Sequence, residues 1–108
     1  MSTHMRKNLD LLKVLHKAKP KLRKIILKHV EPSCIKAICD VVLNVLKSVI
    51  QISATQKRKL ARYKHHLRLL THKATPLDKR RRVLIQKGDG FLTLVLGCVL
   101  KELGSLIA

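Results

Sequence analysis

The sequence predicts an all-α fold, a small bundle of about five amphipathic helices followed by a short apolar C-terminal helix. Three observations predict it. Apolar residues recur at alternating spacings of three and four along most of the chain. Pro20, Pro32 and Pro76 stand where helices would start, and polar start signals surround Ser53 and Thr75. No stretch alternates apolar and polar residues for long, so no sheet is expected. At 108 residues the chain supports one domain with a modest core.

The first helix is expected from Met5 to Lys17, with Met5, Leu9, Leu12 and Val14 or Leu15 on one face and Lys7, Lys13 and Lys17 between them. Pro20 opens a second helix, whose Leu22, Ile25, Ile26 and Val30 line one face while Lys21, Arg23, Lys24 and Lys28 line the other. Pro32 and Ser33 start a third. Its stripe of Ile35, Ile38, Cys39, Val42, Val45, Leu46 and Val49 is the longest and most apolar in the chain. That helix should form the core of the bundle and be contacted on more than one side. Ser53 and Gln56 have the spacing of a capping box, so a fourth helix begins there, with Leu60, Tyr63, Leu67 and Leu70 as a narrow seam on a cationic rod. Thr75 as N-cap, Pro76 at the first helical position and Asp78 near the positive helix end start a fifth. It should run from Pro76 to about Lys87, resting on Leu77, Leu84 and Ile85, and stop at Gly88. Phe91 to Leu100 then forms a sixth, short helix.

Charge divides the chain into a basic helical body, residues 1–87, and an apolar segment, residues 88–108. Of the 24 Lys and Arg, 23 precede Gly88, opposed there only by Asp10, Glu31, Asp40 and Asp78, while Lys101 faces Asp89 and Glu102 beyond it. The net charge of +18 calls for a polyanionic partner: nucleic acid, an anionic membrane face or acidic protein. The densest run lies between residues 57 and 87, where Lys57, Arg58, Lys59, Arg62, Lys64, Arg68, Lys73, Lys79, Arg80, Arg81, Arg82 and Lys87 meet Asp78 alone. Like charges so close together destabilise helices unless something neutralises them, which points to a polyanion-binding face. These residues would neutralise the phosphate backbone of double-stranded DNA and release its counterions. Tyr63 and Phe91 are the only aromatic residues, so base stacking has no platform and no sequence specificity is implied. Lys79-Arg80-Arg81-Arg82 also reads as a nuclear import signal. Two rivals stay open: a membrane-active cationic protein, and a helical adaptor for acidic proteins.

The composition argues against other classes. Cys34, Cys39 and Cys98 form no close pair, as fits a reducing compartment, and Cys34 and Cys39 are expected as buried apolar residues. The six histidines and three cysteines match no zinc spacing, so neither metal nor cofactor is expected. The same scatter gives no catalytic constellation, so no enzyme is expected. The N-terminal residues lack the apolar run of a secretory signal. Within the apolar segment, the run Phe91 to Leu100, with Phe91, Leu92, Leu94 and Leu96 leading, is about half the length needed to span a bilayer before Lys101-Glu102 interrupts it. It either packs on the bundle or contacts an anionic membrane or a capsid interior.

The junction carries a resemblance. Gln86-Lys87-Gly88-Asp89-Gly90 resembles the substrate consensus of adenovirus-type maturation cysteine proteases, which places recognition at Gln86 and Gly88 and the scissile bond at Asp89–Gly90. Leu9-Asp10-Leu11-Leu12, Lys17-Ala18-Lys19-Pro20-Lys21, Gln56-Lys57-Arg58-Lys59-Leu60 and Phe91-Leu92 resemble small basic proteins of adenovirus-like elements, the Polinton (Maverick) and adintovirus class. Those relatives read Gly-Gly-Phe-Leu where this chain has Gly88-Asp89-Gly90-Phe91. The resemblance implies a virion core protein that compacts packaged DNA in the nucleus or virion interior, processed by a maturation protease, with homo-oligomers open.

Overall fold

The computed structural model describes residues 3–47 and 52–107, with side chains placed as far as Lys101. Its elements are α1 (Thr3–Lys7), α2 (Leu9–Lys17), α3 (Pro20–His29), α4 (Pro32–Leu46), α5 (Ala54–Ala61), α6 (Lys64–Thr71), α7 (Leu77–Lys87), a 3₁₀ turn (Gly88–Gly90) and α8 (Leu92–Ile107). The all-α expectation holds, and no strand occurs among the described residues. The helix count differs from the expected one because two expected helices are each broken in two.

Both breaks have the same backbone signature. Asn8 sits at φ −108°, ψ 14° and Tyr63 at φ −107°, ψ 15°, a bridge conformation between helix and strand. At Asn8 the side-chain amide donates to the His4 carbonyl at 2.8 Å and to Ser33 Oγ at 3.0 Å, which draws this turn onto the start of α4. At the other break the Arg62 and Tyr63 amides reach back only three residues, to the Lys59 and Leu60 carbonyls, so α5 ends in a tightened turn. Neither break contains Gly or Pro, and the apolar periodicity runs straight through both.

α4 is the central helix, packed by α1, α2, α6, α7 and α8. Cys34, Ile35, Ala37, Ile38, Cys39, Val41, Val42 and Val45 are all buried, so its burial spreads beyond the predicted stripe. Leu46, assigned to that stripe, is instead 46% exposed, and Val49 lies outside the described residues. Pro20 and Pro32 stand at the first helical positions as expected. The capping box also forms, with the Gln56 amide donating to Ser53 Oγ at 3.2 Å and the Ser53 amide donating to Gln56 Oε1 at 2.8 Å. The N-cap of α7 is Pro76 rather than Thr75. Thr75 belongs to the preceding turn, where its amide donates to the His72 carbonyl and its own carbonyl accepts from Arg80.

α3 corrects the predicted face. Arg23 and Leu27 are buried, whereas Leu22 and Ile25 are each half exposed. The buried Arg23 guanidinium fixes this orientation: Nε donates to the Leu15 carbonyl at 2.9 Å and Nη2 to the Ala18 carbonyl at 3.1 Å, closing the open end of α2. The same Nη2 reaches Thr93 Oγ1 at 3.1 Å, and Nη1 stands 3.8 Å from Asp89. One side chain thereby ties α2 to the glycine junction and to the first turn of α8.

The segment after the junction joins the same core. Phe91, Leu92, Val95, Leu96 and Val99 are buried in the same core cluster, with α8 packed on α2 and α4. Full burial of Phe91 alone contributes about 1.5–3 kcal/mol. α8 runs from Leu92 to Ile107, longer than the short helix expected. Gly97 lets it lie close to α2, since a Cβ there would stand 3.2 Å from His16 Nε2.

Candidate nucleic-acid interface

Helices α5, α6 and α7, the turn at Arg62 and the loop around Lys73 carry all twelve candidate phosphate-binding residues. Ten are exposed: Lys57, Arg58, Lys59, Arg62, Lys64, Arg68, Lys73, Lys79, Arg82 and Lys87. The capping box starts α5, and buried Leu60, Leu67, Leu70, Val83 and Leu84 hold the three helices to the core, leaving the cations outward.

Arg80 and Arg81 have another task. Successive helical residues point about 100° apart, so Arg80, Arg81 and Arg82 leave α7 in three directions. Arg80 donates to the His72 carbonyl at 2.8 Å and to the Thr75 carbonyl at 3.1 Å, capping the end of α6. Arg81 donates to the Leu27 carbonyl at 2.7 Å, in the last turn of α3. A cation at a helix C-terminus meets both unpaired carbonyls and the negative end of the dipole. Arg82 makes no such contact among the described residues. The Lys79-Arg80-Arg81-Arg82 run is therefore two exposed cations flanking two structural ones.

Arg82 lines a shallow pocket of about 260 Å³ between α6 and α7, together with His65, His66, Leu69, Lys79, Val83 and Gln86. Among the described residues no acidic side chain lines it. The His65 and His66 rings are 5.6 Å apart and nearly perpendicular. Although adjacent in sequence, both line this pocket. His66 Nδ1 is buried without a hydrogen-bond partner among the described residues. The signal that could have found them is two adjacent imidazoles one turn from Leu69, opposite the Lys79, Arg82, Gln86 face of the next helix.

A second cavity, about 310 Å³, is a groove between the end of α4 and helices α5 and α6. Val45, Leu46, Ile52, Leu60, Ala61 and Leu67 give it apolar walls, and Lys57, Lys64 and Arg68 add cations.

The junction is a 3₁₀ turn, and Gly88, at φ −58° and ψ −32°, continues the right-handed path rather than breaking it with a left-handed residue. The chain turns by 87° here between α7 and α8. Of the protease-site residues, Gln86 and Asp89 are exposed, Gly88 is buried, and Gly90 lies against Tyr63. Asp89 stands 3.7 Å from Lys24 as well as 3.8 Å from Arg23, and these are the ion pairs among the described residues. Of the membrane or capsid candidates, Phe91, Leu92 and Leu96 are fully buried and Leu94 is half-buried. Among the described residues no single helix is long and apolar enough to cross a membrane.

Cys34 and Cys39 are buried as expected. Burial pushes both thiols up to about 11, with Arg81 pulling the other way on Cys34 and Arg80 doing so on Cys39. No group of three metal-binding side chains comes together among the described residues. Compared with known protein families, curated proteins and solved structures, the chain matches none.

Proposed function

We propose that this chain is a non-enzymatic protein that binds the phosphate backbone of duplex DNA without reading its sequence, neutralising and compacting it. The observation that carries the reading is the division of labour among its cations. Arg23, Arg80 and Arg81 serve the fold, while ten cations on and between α5, α6 and α7 are exposed and make no hydrogen bond or ion pair among the described residues. Such a face has no internal reason to be so charged, and a polyanion supplies one. The resemblance to adenovirus-like elements extends the proposal to DNA packaging in the nucleus or virion interior. Processing at Asp89–Gly90 belongs to the same proposal, and requires the 3₁₀ turn to open first. The membrane-active reading draws less support, because Phe91, Leu92 and Leu96 stand in the core.

The test is binding of the full chain to random-sequence duplex DNA over a salt series. If six to eight of the ten cations touch phosphate, log affinity falls against log salt with a slope of roughly −5 to −7. Unrelated duplexes give the same line. Absence of binding at low salt overturns the proposal.

A further inference from the structure

The geometry points to the pocket between α6 and α7 as a seat for one phosphate group, with the DNA backbone as its source; this rests on the DNA-binding reading above. Lys57, Lys64 and Arg68 edge a groove whose walls are mainly apolar, but here Lys79, Arg82 and Gln86 from α7 face His65 and His66 from α6 around one concavity. All five side chains can donate hydrogen bonds, and no carboxylate among the lining residues competes with an anion. Arg82 matches phosphate with a planar fork and Lys79 adds a compact charge.

His66 supplies the second observation. Its Nδ1 is buried without a hydrogen-bond partner among the described residues. A buried N–H without an acceptor is costlier than a buried lone pair without a donor, so the neutral ring keeps its proton on Nε2. That leaves Nε2–H as the ring's donor. Leu69 and Val83 form the apolar part of the lining and come from the same two helices, so the donors are set on rigid elements before any ligand arrives. A preset group of donors holds an anion more firmly than the same charges spread along a rod.

The experiment has two arms on the full chain at fixed pH. In the first, inorganic phosphate is titrated at constant ionic strength against chloride while histidine ring signals are followed by NMR. The His65 and His66 signals should shift saturably, while those of His29, exposed on α3, stay still. In the second arm, duplex DNA affinity is compared between Lys79→Gln/Arg82→Gln and Arg58→Gln/Lys59→Gln, which remove equal charge inside and outside the pocket. The pocket pair should lose several-fold more. Gln86→Met, exposed and without charge change, should weaken binding roughly three- to tenfold while leaving the unfolding midpoint in place. Equal losses for the two pairs, with His65 and His66 unmoved by phosphate, overturn the pocket while leaving general DNA binding intact. Failure of the unmodified chain to bind DNA overturns the DNA source and the reading beneath it, and the phosphate arm then decides the pocket by itself.

Discussion

The guanidinium of Arg81 donates to the main-chain carbonyl of Leu27 at 2.7 Å, joining α7 to the last turn of α3 across 54 residues of sequence. Its neighbour Arg82 points elsewhere, to an acid-free pocket. Two residues identical in type and adjacent in sequence thus belong to different parts of the molecule. Arg81→Gln should lower stability by about 1–2 kcal/mol in urea unfolding, with little change in the salt dependence of DNA binding. Arg82→Gln should leave stability within about 0.5 kcal/mol and make the log–log salt slope shallower by about 0.9.

Gly90 lies so close to Tyr63 that a Cβ there would collide with the ring and its hydroxyl. Tyr63 in turn packs on Phe91, with ring centroids 5.5 Å apart. Gly90→Ala should therefore cost about 1–3 kcal/mol in thermal or urea unfolding. In a Tyr63→Leu background the same substitution should cost much less, and equal cost in both backgrounds would show that the collision is not the cause.

Proteases bind their substrates extended, whereas Asp89–Gly90 is wound into a 3₁₀ turn with Asp89 beside Arg23 and Lys24. Cleavage at this bond should be slow in native buffer. Sub-denaturing urea should accelerate it in step with the population of the open form. Asp89→Asn, which weakens the hold on the turn, should raise the native rate as read by the appearance of a fragment starting at Gly90.

Cys34 and Cys39 should react with thiol reagents only as the protein unfolds, because both are covered and their thiols are raised to about 11. In the unfolded chain thiols ionise near about 8.5. The unfolded state therefore releases these protons first, so their contribution to stability is fully present below that pH and is lost as pH rises towards 11. A Cys34→Ala/Cys39→Ala double variant, unfolded in urea across pH 8 to 11, should show a shallower fall than the unmodified chain, which subtracts the lysine titration common to both.

Much of the fold was legible because it rests on local rules. Pro20, Pro32 and the Ser53/Gln56 box mark helix starts by geometry that needs no partner, and the apolar wealth of α4 identifies the helix that others surround. The breaks at Asn8 and Tyr63 were hidden because they depend on contacts across the chain, with Ser33 in one case and Phe91 in the other. Arg23 was assigned to water by its type. Only the tertiary arrangement reveals that the end of α2 offers it enough carbonyl oxygens to replace hydration. The cationic face was legible as composition, whereas the separation of Arg80 and Arg81 from Arg82 needed the positions of α3 and α6.

The arginines that brace this molecule find their partners mainly in peptide carbonyl oxygens. Those oxygens keep their partial charge in mild acid, where carboxylates become neutral and conventional ion pairs dissolve. Of the hydrogen bonds and ion pairs described for Arg23, Arg80 and Arg81, one reaches a carboxylate, that of Asp89, while most of the others end on main-chain carbonyl oxygens. The molecule is thereby built to hold its shape through acidification, and what mild acid strains in it is the mutual repulsion of its surface, which added electrolyte relieves.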